Sequence, residues 1–386
     1  MEQQRTEGTT VFFTDSDEHI TSGMPVFYNP VMKLNRDLTL AVLLAMQSGD
    51  GQKPRLTIGL PMEASGMRAA RILHELVVPG YLSPDIIALN DLSEHAAAFA
   101  RKNIAHNIGK FDQALVNVSV DEASTFLRKS PGFSYIDIDP FGTPNPFLDS
   151  AAQRISRGGI LAVTATDTSA LAGTYPAATA RKYWAIPSRT WVMHEVGLRI
   201  LCRKVQLIGA QYEKALLPVL SVATDHYYRI FFLCDRSHAP VKDMLKLHKF
   251  LHVCKSCLQL SVSAANWGEC PSCGTRVIGA GPLWAGPLHD AMFVQTMRAE
   301  SKKLDAKTAK ELDALLAVIE DECRMDGKNV VGFVDLHELS SLLKTEAQRT
   351  ETVLAKLGVH ACRTHINGHS VKTDLSMPEF LAMMKK

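Results

Sequence analysis

Four cysteines fall as two pairs, Cys254-x-x-Cys257 and Cys270-x-x-Cys273, with twelve residues between the pairs. Thiolates at this spacing can close a tetrahedral shell around Zn2+, and four of them leave no position for substrate, so such a metal is structural. Gly274, directly after Cys273, suits the tight knuckle that this shell needs. The bland alternative is four free buried thiols. A second set of residues is acidic. Asp91, Asp121 with Glu122, and Asp139 each end or follow a short apolar run, and Gly66 follows an earlier one. At a strand end, a carboxylate can accept hydrogen bonds from ribose hydroxyls, and a glycine lets a ligand approach a helix N-terminus. Ala123 then adjoins a possible base contact. Each carboxylate alone could simply cap a helix, but the recurrence after three successive runs forms a pattern.

Those residues need elements to hold them. Arg55–Leu60, Asp85–Leu89, Leu115–Val120, Phe133–Ile138 and Gly159–Thr164 read as strands. A helical stretch runs from Gly66 to Leu76, and another from an N-cap at Ser93 to Asn103. Gly158-Gly159 reads as the break that ends the helix before the fifth strand. Alternation of this kind implies a parallel sheet covered on both faces, a Rossmann-like α/β fold. Ala215–Ala223 and Tyr227–Cys234 lie close enough to form an antiparallel edge. Beyond Asp235 the texture changes to a basic helical segment (242–252), the cysteine pairs, and a loop rich in Gly and Pro (279–287). Helices at 337–344 and 350–357 precede a hairpin around Asn367-Gly368, a pattern that suggests a winged helix. The division expected is residues 1–235 as a catalytic domain and 236–386 as a smaller α+β domain. The smaller domain would hold a zinc ribbon at 254–273 and a winged-helix-like tail at 333–386.

The Asp139-Pro140-Phe141-Gly142 segment, after the apolar strand Phe133–Ile138, resembles the Asp/Asn-Pro-Pro-Tyr/Phe loop of methyltransferases that act on exocyclic base amines. An aromatic amine shares its lone pair with the ring and is a poor nucleophile. Acceptors on its two N–H bonds, here the Asp139 carboxylate and the Pro140 carbonyl, would draw the nitrogen toward tetrahedral geometry and free that pair. Phe141 could stack on the base. The competing reading is a strand end with a Pro-Phe turn, in which Asp139 caps a helix and Phe141 is core.

Composition is ordinary for a globular chain: 46% hydrophobic and 21% charged residues exclude wholesale disorder. A net charge of +2 neither announces nor forbids a nucleic-acid partner. Arg181-Lys182-Tyr183, Arg189, His226-Tyr227-Tyr228-Arg229 and Arg363-Thr364-His365 are candidates to grip phosphates and stack on unpaired bases. His194-Glu195 lacks a second His at metal-ligand spacing and reads as a helix-surface or supporting pair. No apolar run spans a bilayer and no apolar signal core begins the chain, so a cytoplasmic protein without membrane contact is expected.

Taken in order, several segments resemble the archaeal and eukaryotic tRNA guanine-26 N2-dimethyltransferase family. They are Tyr28-Asn29-Pro30, Asn35-Arg36-Asp37, Gly66-Met67-Arg68, Asn90-Asp91, Asp137 to Pro144, Leu161 to Thr168, Arg181-Lys182-Tyr183, His194 to Leu201, Asp225 to Arg229, Gly281 to Leu288 and Arg363-Thr364-His365. The resemblance implies a class I methyltransferase sheet, S-adenosylmethionine as methyl donor, and transfer of one or two methyl groups to N2 of guanosine 26 in tRNA. It implies Arg36 and Arg68 as cofactor contacts, Asp91, Asp121 and Ala123 as ligands of its nucleoside part, and Asp139 as catalytic acceptor. Glu122 takes the place of Asp121 if the third strand is displaced by one. A C-terminal domain that holds tRNA is implied as well; no obligate protein partner is inferred. One departure stands out: the loop from Pro61 to Ser65 lacks the acidic residue usual just after the first strand, and Glu63 is the candidate substitute. The rival readings are a zinc-ribbon and winged-helix nucleic-acid-binding regulator, and an amine methyltransferase acting on another RNA or on DNA.

Overall fold

The computed structural model describes residues 2–15, 28–48, 55–108, 115–224, 226–235 and 239–385; Asp225 of the segment quoted above lies outside them. Two compact units emerge. The first comprises Met1–Thr164, Phe231–Arg236 and Gln295–Leu316; the second comprises Ala165–Ile230, Ser237–Val294 and Ala317–Lys386.

The first unit opens with a hairpin the sequence did not announce, β1 (Glu2–Glu7) and β2 (Thr10–Asp15), paired antiparallel. Helix α1 (Lys33–Met46) follows. Then come β3 (Thr57–Leu60), α2 (Met67–Arg71) continuing into a π-helical turn (Ile72–Val77), β4 (Ile86–Asp91), α3 (Glu94–Ile108), β5 (Val116–Val120) and α4 (Ala123–Lys129). The run ends with β6 (Phe133–Ile138), α5 (Asn145–Arg154) and β7 (Ile155–Ala165). The pairs β3–β4, β4–β5, β3–β6 and β6–β7 are all parallel. Ile58, Leu89, Ile136 and Leu161 are fully buried, which is why these strands read as continuous apolar runs. With β8 (Leu216–Ala223) and β9 (Tyr228–Cys234) the sheet has seven strands in the order β5-β4-β3-β6-β7-β9-β8. The chain moves outward from β3 in one direction and resumes at β6 in the other. The carboxyl ends of β3 and β6 therefore flank the switch point where a doubly wound sheet binds its ligand.

Gly158-Gly159 does not end a helix. Helix α5 stops at Arg154, and both glycines lie inside β7. A Cβ on Gly159 would sit 2.6 Å from the Ser134 carbonyl oxygen, and the β6–β7 register shifts between Phe133 and Tyr135. The pair lets two strands approach at a bulge.

In the second unit, α6 (Thr168–Leu171), α7 (Pro176–Tyr183) and α8 (Met193–Ala210) precede β8. After α9 (Ala239–Lys246), strands β10 (His248–Val253), β11 (Leu260–Ser263) and β12 (Ile278–Trp284) form a sheet in the order β11-β10-β12. Two expectations fail here. The basic segment 242–252 is helical only to Lys246, because its second half is the central strand, paired on both sides. The Gly/Pro-rich stretch 279–287 is largely strand, since β12 takes in residues 278–284 and Gly281 also pairs with Ile186. Helices α10 (Ala291–Glu300) and α11 (Ala306–Asp326) follow, their stretch Gln295–Leu316 belonging to the first unit. The tail comprises β13 (Val334–Asp335), α12 (Leu336–Leu343), α13 (Thr350–Leu357), β14 (Ala361–Arg363), β15 (Ser370–Thr373) and α14 (Met377–Met384). Its sheet, ordered β13-β15-β14, closes over a core of Leu336, Leu339, Val353, Leu357, Val371 and Phe380. This is the winged-helix-like pattern with a helix added at its end. Among the described residues no helix is long and apolar enough to cross a membrane.

Candidate active site

Three loops at the carboxyl ends of β3, β4 and β5 are fastened together by one side chain. The Asn90 amide donates to the carbonyls of Pro61 (3.1 Å) and Asp121 (2.9 Å), while its oxygen accepts from the Ser119 hydroxyl (2.9 Å). Asp91 adds two more ties, accepting from the backbone N–H of Ala64 (2.8 Å) and of Ser93 (3.0 Å). Gly66 ends the first loop in the left-handed region, with φ of 70°. A Cβ there would lie 2.6 Å from Ala100 of α3, so only glycine lets this loop close against that helix.

Asp139 stands at the end of β6, and its carboxylate is already held. Arg68, from the first turn of α2, hydrogen-bonds it through Nη2. Nη1 of the same guanidinium donates to Asn35 (3.0 Å) and Thr39 (2.6 Å) and lies 3.2 Å from Asp137. Asp137 is buried and accepts from the Tyr135 hydroxyl at 2.8 Å. Glu63, on the loop after β3, completes the ring: its carboxyl lies 3.8 Å from Arg68 Nε and accepts from the backbone N–H of Ala69 (3.2 Å). Burial pushes the Glu63 carboxyl up to about 8; Arg68 opposes the rise, and Asp137 and Asp139 add to it. Pro140 is buried and Phe141 is 56% exposed, so Phe141 is not the core residue of the bland reading.

Arg36 lies in an adjoining cluster. Its guanidinium makes two bonds to Glu7 of β1 (2.6 and 2.5 Å) and lies over the Tyr28 ring, 5.2 Å from the centroid. Arg71, fully buried, links Glu7 (3.0 Å), Asp37 (2.6 Å) and Glu75 (2.8 Å). Burial alone would raise the Glu7 carboxyl, but Arg36 and Arg71 hold it below its usual range. On the far side, Asp121 pairs with Lys129 at 2.6 Å. Glu122 is the N-cap of α4, accepting from Ser124 (2.9 Å) and Thr125 (2.8 Å), and Ala123 begins that helix, buried. Glu7, Asn35, Thr39, Tyr135 and Asp137 were not singled out from sequence as site residues; their side chains meet only once β1, α1 and β6 are packed.

The four cysteines converge as expected. Sγ separations are 3.5 Å for Cys254–Cys273 and 3.6 Å for Cys257–Cys270, and all four sulfurs lie within 4.8 Å of one another. Zn–S bonds of about 2.3 Å in a tetrahedron require S···S edges near 3.8 Å, so the set fits zinc. Two knuckles shape it: Cys254 N–H donates to Gln259 (3.0 Å), and Gly274 N–H donates to Cys270 (2.8 Å) with φ of 73° at Gly274.

A family model described as N2,N2-dimethylguanosine tRNA methyltransferase matches residues 5–385. The chain belongs to that family. It is 36% identical over 388 residues to the tRNA (guanine(26)-N(2))-dimethyltransferase of Methanobrevibacter smithii, covering 98% of this chain and 96% of the relative. It is 35% identical to the tRNA (guanine(26)-N(2)/guanine(27)-N(2))-dimethyltransferase of Aquifex aeolicus, covering 95% and 91%. Among solved structures, the complex of Trm1 from Pyrococcus horikoshii with S-adenosyl-L-methionine superposes with a TM-score of 0.84 at 27% identity, over 99% of both chains. The match runs through the catalytic half as well as the cysteine pairs, so the regulator without enzymatic activity is set aside.

In this methyltransferase the basic and aromatic clusters divide sharply. Tyr183, Tyr227, Tyr228 and Arg229 are at most 1% exposed and cannot stack on or grip RNA. Tyr183 donates to Asp167 (2.5 Å), and the exposed ring of that segment is Trp184 instead. Arg181, Arg189 and His226 are exposed. Glu195 is no helix-surface residue. Fully buried, it pairs with Arg199 (2.8 Å) and with Lys372 of β15 (3.2 Å). Lys372 also lies 3.7 Å from Glu322, which accepts from His365 Nδ1 (2.8 Å) and lies 3.9 Å from His289 Nε2. This group of two histidines and a carboxylate has metal-ligand composition but the wrong polarity. The outer nitrogens, His289 Nδ1 and His365 Nε2, face the backbone N–H groups of Ser221 (3.4 Å) and Ala223 (3.3 Å). They must be acceptors, so the inward nitrogens bear the protons and point them at Glu322. The cluster is a cradle for a buried carboxylate.

Proposed function

We propose that this chain transfers one or two methyl groups from S-adenosylmethionine to the exocyclic N2 of guanosine 26 in tRNA. The observation that carries the reading is Asp139, held at the switch point of the sheet by Arg68, in a chain that belongs to this family from end to end. The cofactor supplies an electrophilic methyl on a sulfonium. Its ribose suits the Asp91 and Asp121 side of the crevice, its adenine Ala123 and Glu122, and its methionine end the Gly66 turn with Glu63, Arg68 and Arg36. The chain's own residues do the rest. Asp139 accepts one N–H of the guanine amine, the Pro140 carbonyl accepts the other, and exposed Phe141 stacks on the base that must leave its helix to reach the pocket. As the new N–C bond forms and the C–S bond of the sulfonium breaks, the amine proton would pass to Asp139, whose carboxylate Arg68 keeps aimed beforehand. Residues 1–235 do this chemistry. Residues 236–386 hold the tRNA, with zinc on Cys254, Cys257, Cys270 and Cys273 as a structural tie, in a reducing cytoplasm.

The test is mass analysis of nucleosides from unmodified tRNA incubated with the protein and S-adenosylmethionine. N2-methyl- and N2,N2-dimethylguanosine at position 26 are expected. Asp139→Ala should lower turnover by about two orders of magnitude or more, with cofactor affinity changed by no more than a few-fold. Near-normal turnover in the variant rejects the assignment of Asp139.

A further inference from the structure

Trp184 is held in an unusual posture. It ends α7 in the left-handed region (φ 55°, ψ 42°), a strained conformation for a bulky side chain, and it is 48% exposed. Arg203 of α8 donates from Nη1 to the Trp184 carbonyl (3.2 Å) and so fixes that turn. The next residue, Lys204, places its ammonium 3.0 Å from the centroid of the indole ring while only 5% of the residue is exposed. Among the described residues neither cation has a carboxylate partner, and Arg203 Nε is buried without a hydrogen bond. Burial and the neighbouring Arg203 push the Lys204 ammonium down to about 8, so it stays largely charged at neutral pH. Two cations without a carboxylate partner, one over the indole and one on the Trp184 carbonyl, beside a ring whose surface is half open form an unfinished electrostatic site. A buried charge without a counter-ion is unfavourable, and an arriving anion relieves it. The complement is an anionic group attached to a flat aromatic ring, which is a nucleotide.

We propose that Trp184, Lys204 and Arg203 form a second nucleotide-binding site, separate in its residues from the methyl-transfer site and resting on the tRNA reading above. An unpaired base of the tRNA stacks on the open indole surface, and the adjoining phosphate meets the two cations. Exposed Arg181, on α7, adds to the positive field the phosphate enters.

The experiment measures tRNA affinity of the full-length protein at several salt concentrations for wild type, Trp184→Ala, Trp184→Phe and Lys204→Met, with S-adenosylmethionine affinity and circular dichroism as controls. Losing one base stack should weaken binding by about five- to a hundred-fold in Trp184→Ala and by under about three-fold in Trp184→Phe. Lys204→Met should lower the slope of log affinity against log salt by about one. Should Trp184→Ala fail to fold, Trp184→Phe and Lys204→Met still decide. Binding within two-fold of wild type in Trp184→Ala, or an unchanged salt slope in Lys204→Met, overturns the proposal. Methylation by the wild type is read alongside. If it proceeds while these variants bind normally, this site alone is rejected; a wild type that binds no tRNA rejects the tRNA reading as well.

Discussion

Replacing Lys372 by Met removes the one ammonium shared by two buried carboxylates. Glu195 Oε2 and Glu322 Oε2 lie 3.2 and 3.7 Å from Lys372 Nζ, and neither oxygen has a hydrogen-bond partner. Methionine keeps the length of the side chain and withdraws the charge. Stranding buried charges in this way costs about 3–5 kcal/mol. For 386 residues, unfolding entropy near about 2 cal/mol/K per residue gives a melting temperature lowered by about 4–6 °C if the chain melts as one unit. The pH dependence has a definite sign. In the wild type, burial alone would raise both carboxyls, but Lys372 helps hold them below the ordinary value of 4.5, joined by Arg199 at Glu195 and by His365 at Glu322. Their contribution is therefore present above about pH 4.5 and lost as pH falls through the depressed values. In the variant burial prevails, the folded-state values rise, and the penalty grows as pH climbs above 4.5. Calorimetry should thus show the full loss at pH 8 and a loss no larger than that at pH 5.5. A loss under 1 °C at pH 8, or a larger one at pH 5.5, would refute the view that this lysine neutralises the pair.

Two further outcomes concern the site and its support. Phe141→Ala should lower turnover about ten-fold while tRNA affinity stays within about two-fold, checked by single-turnover kinetics beside a binding titration, because its ring acts on the extruded base and not on the rest of the RNA. Cys270→Ser should lower the zinc content found by elemental analysis and weaken tRNA binding. Its S-adenosylmethionine affinity by calorimetric titration should remain within two-fold of wild type, since the four thiolates leave no open position for chemistry.

The parallel core was legible because buried strands of a doubly wound sheet are plain apolar runs, and their ends carry the carboxylates. Phe133–Ile138 coincides with β6, and Ser93 does precede α3, its hydroxyl accepting from the Ala96 N–H of the first turn (3.3 Å). The cysteine spacing was equally direct, because ligand geometry is local. What escaped notice depends on contacts far apart in sequence. Nothing local marks Glu7 as the partner of Arg36 and Arg71, 29 and 64 residues away. Gly279–Pro287 reads as a loop by composition, yet β10 and Ile186 recruit most of it as a strand. Tyr227-Tyr228-Arg229 looks like an RNA grip only until the sheet buries it.

Asn90 holds three loops with one amide, and that makes the crevice sensitive to a change of a single functional group. Its nitrogen faces two carbonyl oxygens, those of Pro61 and Asp121, while the Ser119 hydroxyl fixes which end of the amide points there. Deamidation to Asp would put an anion where the donor stood, turning two attractions into two repulsions in a residue only 1% exposed. The loops would part without any loss of volume or apolar contact. Chemical ageing at this one side chain would therefore disable the cofactor crevice while leaving the core of the sheet intact.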